Sequence, residues 1–255
     1  MDMQIFIIGA GRIGTCFHRK IKNSILITRN SNWDKLTDAK PDSLILVCTR
    51  NDSLEDIIEA TPKSLHSNLC FIQNGMLTGF LNEKGLEDSG RGLIYFAVPS
   101  VGEEPVVGAE SVFSGPKVKA LVDLLNSVGL SSKQLDRSTF EKEEMEKLIW
   151  NVCFGLLGDK YKVTVGEVLE GHRELTHKLV LELAYLANEG AGVSFNLESL
   201  WQRIENYSLE VSHYPTRVKE WKWRNQWFDD LIPKHVSRVP LLDKLHQEFR
   251  PPTHS

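Results

Sequence analysis

Short uninterrupted apolar runs, each followed by residues at helical spacing, organise the first half of the chain. Gln4–Ile8 (QIFII), Ser24–Thr28 (SILIT), Leu44–Thr49 (LILVCT), Leu69–Gln73 (LCFIQ) and Leu93–Val98 (LIYFAV) predict strands. Runs that are apolar throughout, rather than alternating, belong to strands covered on both faces, which means a parallel sheet flanked by helices. The helices are predicted at Thr15–Ile21, about Ser53–Ala60 and Pro116–Ser127. Asn74-Gly75 stops the fourth strand and Pro99 the fifth. Between them and the last of these helices, Pro105 and Gly108 discourage helix, so Val106–Phe113 is expected to add an antiparallel edge pair.

The pattern changes after Asp136. Met145, Leu148, Ile149, Val152 and Leu156 recur at helical spacing within Phe140–Leu157. Ser138 with Glu141 three residues on has the form of a capping box. Further helices are predicted at His177–Gly190, Leu197–Tyr207, Arg217–Leu231 and Pro240–Phe249, and no strong strand signal follows Leu135. The expected fold class is α/β: a Rossmann-type domain with a mostly parallel sheet over residues 1–135, then an all-helical domain over 136–255. Only the tail Pro251–Ser255 has the composition of a disordered segment.

Composition narrows the function classes. The 255 residues are 41% hydrophobic and 25% charged, ordinary for a globular protein. A net charge of −4 gives no electrostatic footprint for nucleic acid. No apolar run approaches the ~18 residues of a membrane span, and the opening apolar stretch runs straight into glycines, unlike a secretory leader. Cys16, Cys48, Cys70 and Cys153 are far apart and sit in apolar segments. They read as small buried thiols, with no metal site and no redox dithiol, which fits a reducing, cytoplasmic setting.

The candidate chemistry begins directly after the first strand. Gly9-Ala10-Gly11-Arg12-Ile13-Gly14 is a G-x-G-x-x-G turn between strand and helix, the order a dinucleotide site requires. Gly9 permits the tight turn, Gly11 lets the backbone approach a pyrophosphate and Gly14 lets the helix pack on the strand. Together with Arg12 and Ile13 they are the expected cofactor-binding residues. An NAD site usually places an acid after the second strand. This chain has Thr28-Arg29-Asn30 and no acid before Asp34, and an arginine there suits the 2′-phosphate of NADP. Arg50, after the third strand, lies at the carboxyl edge where open α/β sheets bind ligands, though a solvated charge would look the same. Asn74 lies at that edge too, in what is also a plain Asn-Gly turn.

In the second half, Lys147 and Asn151 are four apart and share a helix face. Asn151 lies among apolar residues and needs partners, and Lys147 can present an ammonium one turn away. Taken alone, the pattern better suits a surface lysine beside a packing asparagine. Glu220 and Asn225 lie in Glu220-Trp221-Lys222-Trp223-Arg224-Asn225-Gln226-Trp227-Phe228, where three tryptophans signal burial or an interface such as a dimer face.

Taken in order, these features resemble the ketopantoate reductases (2-dehydropantoate 2-reductases). The resemblance rests on the glycine motif, Arg29, Phe71-Ile72-Gln73-Asn74-Gly75-Met76, Phe113-Ser114-Gly115-Pro116, Lys147-x-x-x-Asn151, Val165-Gly166-Glu167-Val168-Leu169 and Glu189-Gly190. It implies an NADPH-dependent oxidoreductase, of the kind that serves pantothenate biosynthesis, reducing a small 2-keto acid. Lys147 would be the general acid and Asn151 would orient the substrate. Asn74 would position nicotinamide or substrate, and Arg29 and Arg50 would meet the NADP phosphates. The family usually has lysine where Arg50 stands. The family's late-helix acid, five residues before an Asn-Gly, matches Glu220 and Asn225, although Gln226 replaces the glycine. A second register puts Asp229 in the acid's place. A substrate-binding serine has two candidates, Ser208 and Ser212. The rival readings are a non-catalytic NADP-binding sensor or scaffold and an opine- or imine-type dehydrogenase. The implied partner is a small carboxylate, with a homodimer as the expected assembly.

Overall fold

The computed structural model describes residues 3–31, 33–106 and 108–252. By compactness the chain forms two units. One holds Met1–Gln73 and Leu77–Phe140; the other holds Asn74–Met76 and Glu141–Ser255.

In the first unit β1 (Ile5–Ile8), α1 (Arg12–Lys20), β2 (Ile25–Ile27), β3 (Leu44–Val47), α2 (Leu54–Ala60) and β4 (Leu69–Phe71) follow one another. After them come α3 (Thr78–Glu83), β5 (Gly90–Leu93), β6 (Ser111–Ser114), α4 (Val118–Ser127) and β7 (Ser132–Gln134). The strands form one sheet in the order β2-β1-β3-β4-β5-β6-β7. β1 to β5 are mutually parallel, while β6 runs antiparallel to β5 and parallel to β7. Each residue of β1 and β3 is buried, the consequence of their uninterrupted apolar sequence. Register pairs Ile5 with Leu44 and Ile7 with Leu46, and these four share a core with Phe17 of α1 and Leu121 and Leu125 of α4. Each such side chain fully buried contributes about 1.5–3 kcal/mol.

In the second unit α5 (Arg137–Tyr161), α6 (Val165–Ala191), α7 (Leu197–Glu210), α8 (Trp221–Arg224), α9 (Gln226–His235) and α10 (Pro240–Phe249) are the helices. The first turn of α5 belongs to the first unit. Ile149, Val152 and Leu156 of α5 share a core with Leu179 and Leu183 of α6, Leu200 and Ile204 of α7 and Phe228 of α9. The fold is thus a Rossmann-type α/β domain followed by a helical part. Among the described residues no helix is long and apolar enough to cross a membrane.

Several sequence expectations are corrected. The fifth strand is Gly90–Leu93, ahead of the apolar run 93–98, of which only Ala97 makes an isolated bridge, to Val106. Two glycines hide this strand from a propensity reading. Gly92 is required because a Cβ there would lie 2.5 Å from the Phe113 ring of β6. The antiparallel strand is β6, but it is not the edge, because β7 covers it. Val107 of that segment lies outside the described residues, as do Thr253–Ser255 of the tail. The cap of α5 is Asp136, not Ser138: its carboxylate accepts from the Thr139 hydroxyl (2.6 Å) and amide (3.0 Å) and from the Ser138 hydroxyl (2.9 Å). These bonds hold the Asp136 carboxyl down at about 2. α6 begins twelve residues before its expected start of His177, at Val165, behind a capping box of Thr164 and Glu167.

The single helix expected at Arg217–Leu231 is a non-helical stretch followed by α8 and α9. The backbone of this stretch lies against α5, where a Cβ on Gly155 would meet the Arg217 carbonyl at 3.1 Å. The Val218 amide donates to Asp159 Oδ2 at 2.8 Å, which keeps that stretch extended. Trp223 is buried, and Trp221 and Trp227 are partly buried against the helical core, so the tryptophans take part in packing.

Candidate functional site

Gly9, Arg29 and Arg50 follow β1, β2 and β3, so they share the carboxyl edge of three parallel strands. Gly9 has φ +110°, and its amide donates to the Ile27 carbonyl at 2.9 Å. Gly14 packs so tightly that a Cβ there would lie 1.9 Å from the Gly9 carbonyl oxygen. Gly11 is different: a Cβ there would meet nothing within 4 Å. It precedes α1 without a side-chain cap, and no acidic residue stands in the first turn. Arg12 and Ile13 open that turn, and the Thr15 hydroxyl donates back to the Ala10 carbonyl at 3.1 Å. An uncapped helix start with its positive dipole end, beside open space at a glycine, fits a pyrophosphate.

Arg29 is exposed in the turn after β2, and among the described residues no protein group engages its guanidinium. It is a cation with its donors unspent, as a 2′-phosphate would need. Arg50 is exposed as well, but its guanidinium bonds Asp52 Oδ2 at 2.7 Å. Such an exposed pair contributes little, and a phosphate would have to compete with it.

The second unit holds the other candidates. Lys147 lies on the buried part of α5, where only 9% of it is exposed. Burial first, then the positive charge of Arg224, pull its ammonium down to about 7, against the negative charge of Glu144. Asn151, one turn on, donates from Nδ2 to the Lys147 carbonyl at 2.8 Å and accepts at Oδ1 from Arg224 Nη1 at 3.0 Å. Arg224 Nη2 donates to Glu220 Oε2 at 2.7 Å. Glu220 has φ +48°, a left-handed conformation that costs a non-glycine residue about 1–2 kcal/mol and tends to mark functional positions. Among the described residues, Arg224 Nε and Asn225 Oδ1 are buried without hydrogen-bond partners.

Lys147, Asn151 and Glu220 are therefore drawn together, and Arg224 is the link. Sequence reading passed over Arg224. The one available signal was its i, i+4 spacing from Glu220, which is common on any helix. Asn74 groups with the same unit. Gly75 has φ +116°, and a Cβ there would lie 2.5 Å from the Trp223 carbonyl, which accepts from the Met76 amide at 2.8 Å. The Asn-Gly turn thus lies against the Arg224 segment.

Asp229 does not join this cluster. Its carboxylate bonds His246 Nδ1 at 3.1 Å and the Arg250 guanidinium, tying α9 to α10 and the residue after it. Both of these bonds fall on Asp229 Oδ1, so the structure places Asp229 in a different set of contacts from those of Lys147, Asn151 and Arg224. Ser208 is fully buried; its hydroxyl accepts from Trp150 Nε1 at 2.8 Å and donates to the Ile204 carbonyl at 2.7 Å. Ser212 packs against the start of α6, with its carbonyl accepting from the Gly166 amide at 2.8 Å. Neither serine bonds to Lys147, Asn151, Glu220 or Arg224 in any contact described.

No family model and no curated protein matches the sequence. Solved structures do. A 2-dehydropantoate 2-reductase from Methylococcus capsulatus superposes with a TM-score of 0.71 over 97% of this chain and 96% of that one, at 12% identity. The chain has the fold of the ketopantoate reductases. The ketopantoate reductase of Staphylococcus aureus, described as dimeric, gives 0.70 over 97% and 98% of the two chains at 14% identity. A D-mandelate dehydrogenase complexed with NADH gives 0.68 over 96% and 97%, also at 14%. The shared fold therefore spans essentially the whole of each protein, with little sequence in common.

Proposed function

We propose that this chain is a nicotinamide-dependent oxidoreductase of the ketopantoate reductase family, using NADPH to reduce a small 2-keto acid. The observation that carries the reading is Lys147: a buried ammonium brought to about 7, held in one cluster with Asn151, Arg224 and Glu220. A proton donor works best with a pKa near the working pH, and burial is how a lysine reaches it. Like fold in 2-dehydropantoate 2-reductases and D-mandelate dehydrogenase supports the reaction class.

The glycine turn and the start of α1 would hold the pyrophosphate, and Arg29 the 2′-phosphate; Arg50 would reach a phosphate only by leaving Asp52. Bound cofactor would supply the hydride for the carbonyl carbon. Lys147 would polarise the keto oxygen and give its proton to the forming alkoxide. Asn151 is fixed by bonds at both amide atoms, so it orients the Lys147 turn as well as any substrate. Glu220 would act through Arg224, and Asn74 would position nicotinamide or substrate.

Loss of NADPH absorbance with a panel of 2-keto acids, ketopantoate included, tests this. Turnover that requires an added amine would instead identify an opine- or imine-type dehydrogenase. Tight NADPH binding without turnover of any carbonyl would identify a sensor or scaffold.

A further inference from the structure

A 2-keto acid carries a carboxylate that stays charged throughout its reduction. Something must hold that charge while the proton donor changes state. Lys147 cannot do both, since an acid is neutral once it has given its proton. Of the two serines that the resemblance offers for substrate, Ser208 is buried with its hydroxyl accepting from Trp150 and donating to Ile204, and the Ser212 carbonyl accepts from Gly166 at the start of α6.

Arg224 has what is missing. A guanidinium does not deprotonate in a protein and carries five N–H donors in a rigid fork. Two are spent, one on Asn151 Oδ1 and one on Glu220 Oε2, and the remaining donors on Nη1 and Nη2 lie at the same end of the side chain. These two tethers fix the plane of the fork in advance, which lowers the ordering cost of a bidentate ligand. The side chain is only 14% exposed, so a carboxylate meeting it would be largely shielded from water. The strained φ of Glu220 sets the fork's other tether, and the unpartnered Nε shows a guanidinium that its own protein leaves under-satisfied.

We propose that Arg224 is the specificity-determining residue of this site, binding the substrate's carboxylate and so selecting 2-keto acids over neutral ketones. The proposal rests on the reductase reading above. It also accounts for the mutual repulsion of Arg224 and Lys147, which a carboxylate between two cations relieves.

The test uses 2-oxo-3-methylbutanoate and its methyl ester, with wild-type protein, Arg224→Gln and Arg224→Lys. kcat/KM is read by NADPH oxidation, and binding by calorimetry without turnover. The wild type should prefer the acid by about ten- to a hundredfold, the effect of a charged hydrogen-bonded pair. Arg224→Gln should cut that ratio at least about tenfold and weaken binding of the acid similarly, while Arg224→Lys keeps part of both. If Arg224→Gln slows acid and ester alike and leaves the ratio intact, Arg224 only props up its neighbours and the proposal fails. A wild type that binds the acid no tighter than the ester also overturns it. If the acid binds through Arg224 but no 2-keto acid oxidises NADPH, the anchor stands and the reductase reading falls. If turnover occurs without acid preference, the reverse holds.

Discussion

A side chain on Gly14 would place its Cβ 1.9 Å from the carbonyl oxygen of Gly9, whereas one on Gly11, between them, would touch nothing within 4 Å. The two glycines are thus required for different reasons. Gly14→Ala forces α1 off β1 and should destabilise the first unit by several kcal/mol, on the scale of about 1–3 kcal/mol or more for core overpacking. Gly11→Ala should leave the melting temperature of the apo protein unchanged and abolish its rise on adding NADPH. Normal NADPH stabilisation in Gly11→Ala would show that no pyrophosphate approaches that backbone.

Arg29 should decide between the two nicotinamide cofactors. Its guanidinium has no protein partner among the described residues, so removing it leaves no carboxylate stranded. Arg29→Ala should weaken NADPH by about ten- to a hundredfold, as expected for loss of a charged hydrogen bond, and change NADH little. Arg50→Ala should matter less, because Asp52 already neutralises that charge. Equal losses for both cofactors in an Arg29→Ala titration would remove the NADP assignment.

Lys147 sets a pH limb. Its ammonium is brought from the usual 10.5 to about 7, so it loses its proton as pH rises through 7. For reduction the protonated form is needed, and kcat/KM should fall about tenfold per pH unit above 7. Oxidation of the hydroxy acid needs the neutral amine and should rise over the same range. Removing the charge of Arg224 by Arg224→Gln should shift the limb upward, since that charge is one of the two causes lowering it. Lys147→Ala should reduce kcat by about a hundred- to ten-thousandfold with little change in NADPH affinity. A limb that stays in place in Arg224→Gln, or near-normal kcat in Lys147→Ala, would place the proton donor elsewhere.

Glu220 and Asp229 separate function from stability. Glu220→Gln should lower activity through Arg224 while leaving the fold intact. Asp229→Asn should do the opposite, because it strips a buried carboxylate from His246 and Arg250. Breaking such a pair costs about 3–5 kcal/mol, read by denaturant unfolding. Burial raises the Asp229 carboxyl, but the bonds from His246 and Arg250 outweigh it and hold it below its usual range. Its stabilising contribution is therefore complete above the unfolded value of about 4 and is lost as pH falls through the lower folded one. Asp229→Asn should flatten that acid-side loss; unaltered acid sensitivity would argue against the pairing.

Much of the fold was legible because its signals are local. β1, the glycine turn and α1 are contiguous, and α10 occupies the Pro240–Phe249 expected from its periodicity and N-terminal proline. β5 was not legible. Its Gly-Arg-Gly-Leu sequence has poor strand propensity, and it is a strand because Cys70 and Phe71 pair with it on one side and β6 on the other. The break at Asn225 between α8 and α9 was equally hidden, since apolar spacing runs through it.

The sequence by itself determined the alternation of strands and helices, the glycine turn after β1 and the shared face of Lys147 and Asn151. Each depends on residues within a turn or two of one another. Only the tertiary structure decided which carboxylate bonds Arg224 beside Asn151 and which bonds His246 and Arg250, because Glu220 and Asp229 differ in what lies across from them rather than beside them. Asn151 and Arg224 are 73 residues apart. Neither their bond nor the burial that lowers the Lys147 ammonium exists until the helices pack. Spacing along a chain fixes which side chains share a face; dielectric and charge partners are properties of the folded neighbourhood, and they set the chemistry.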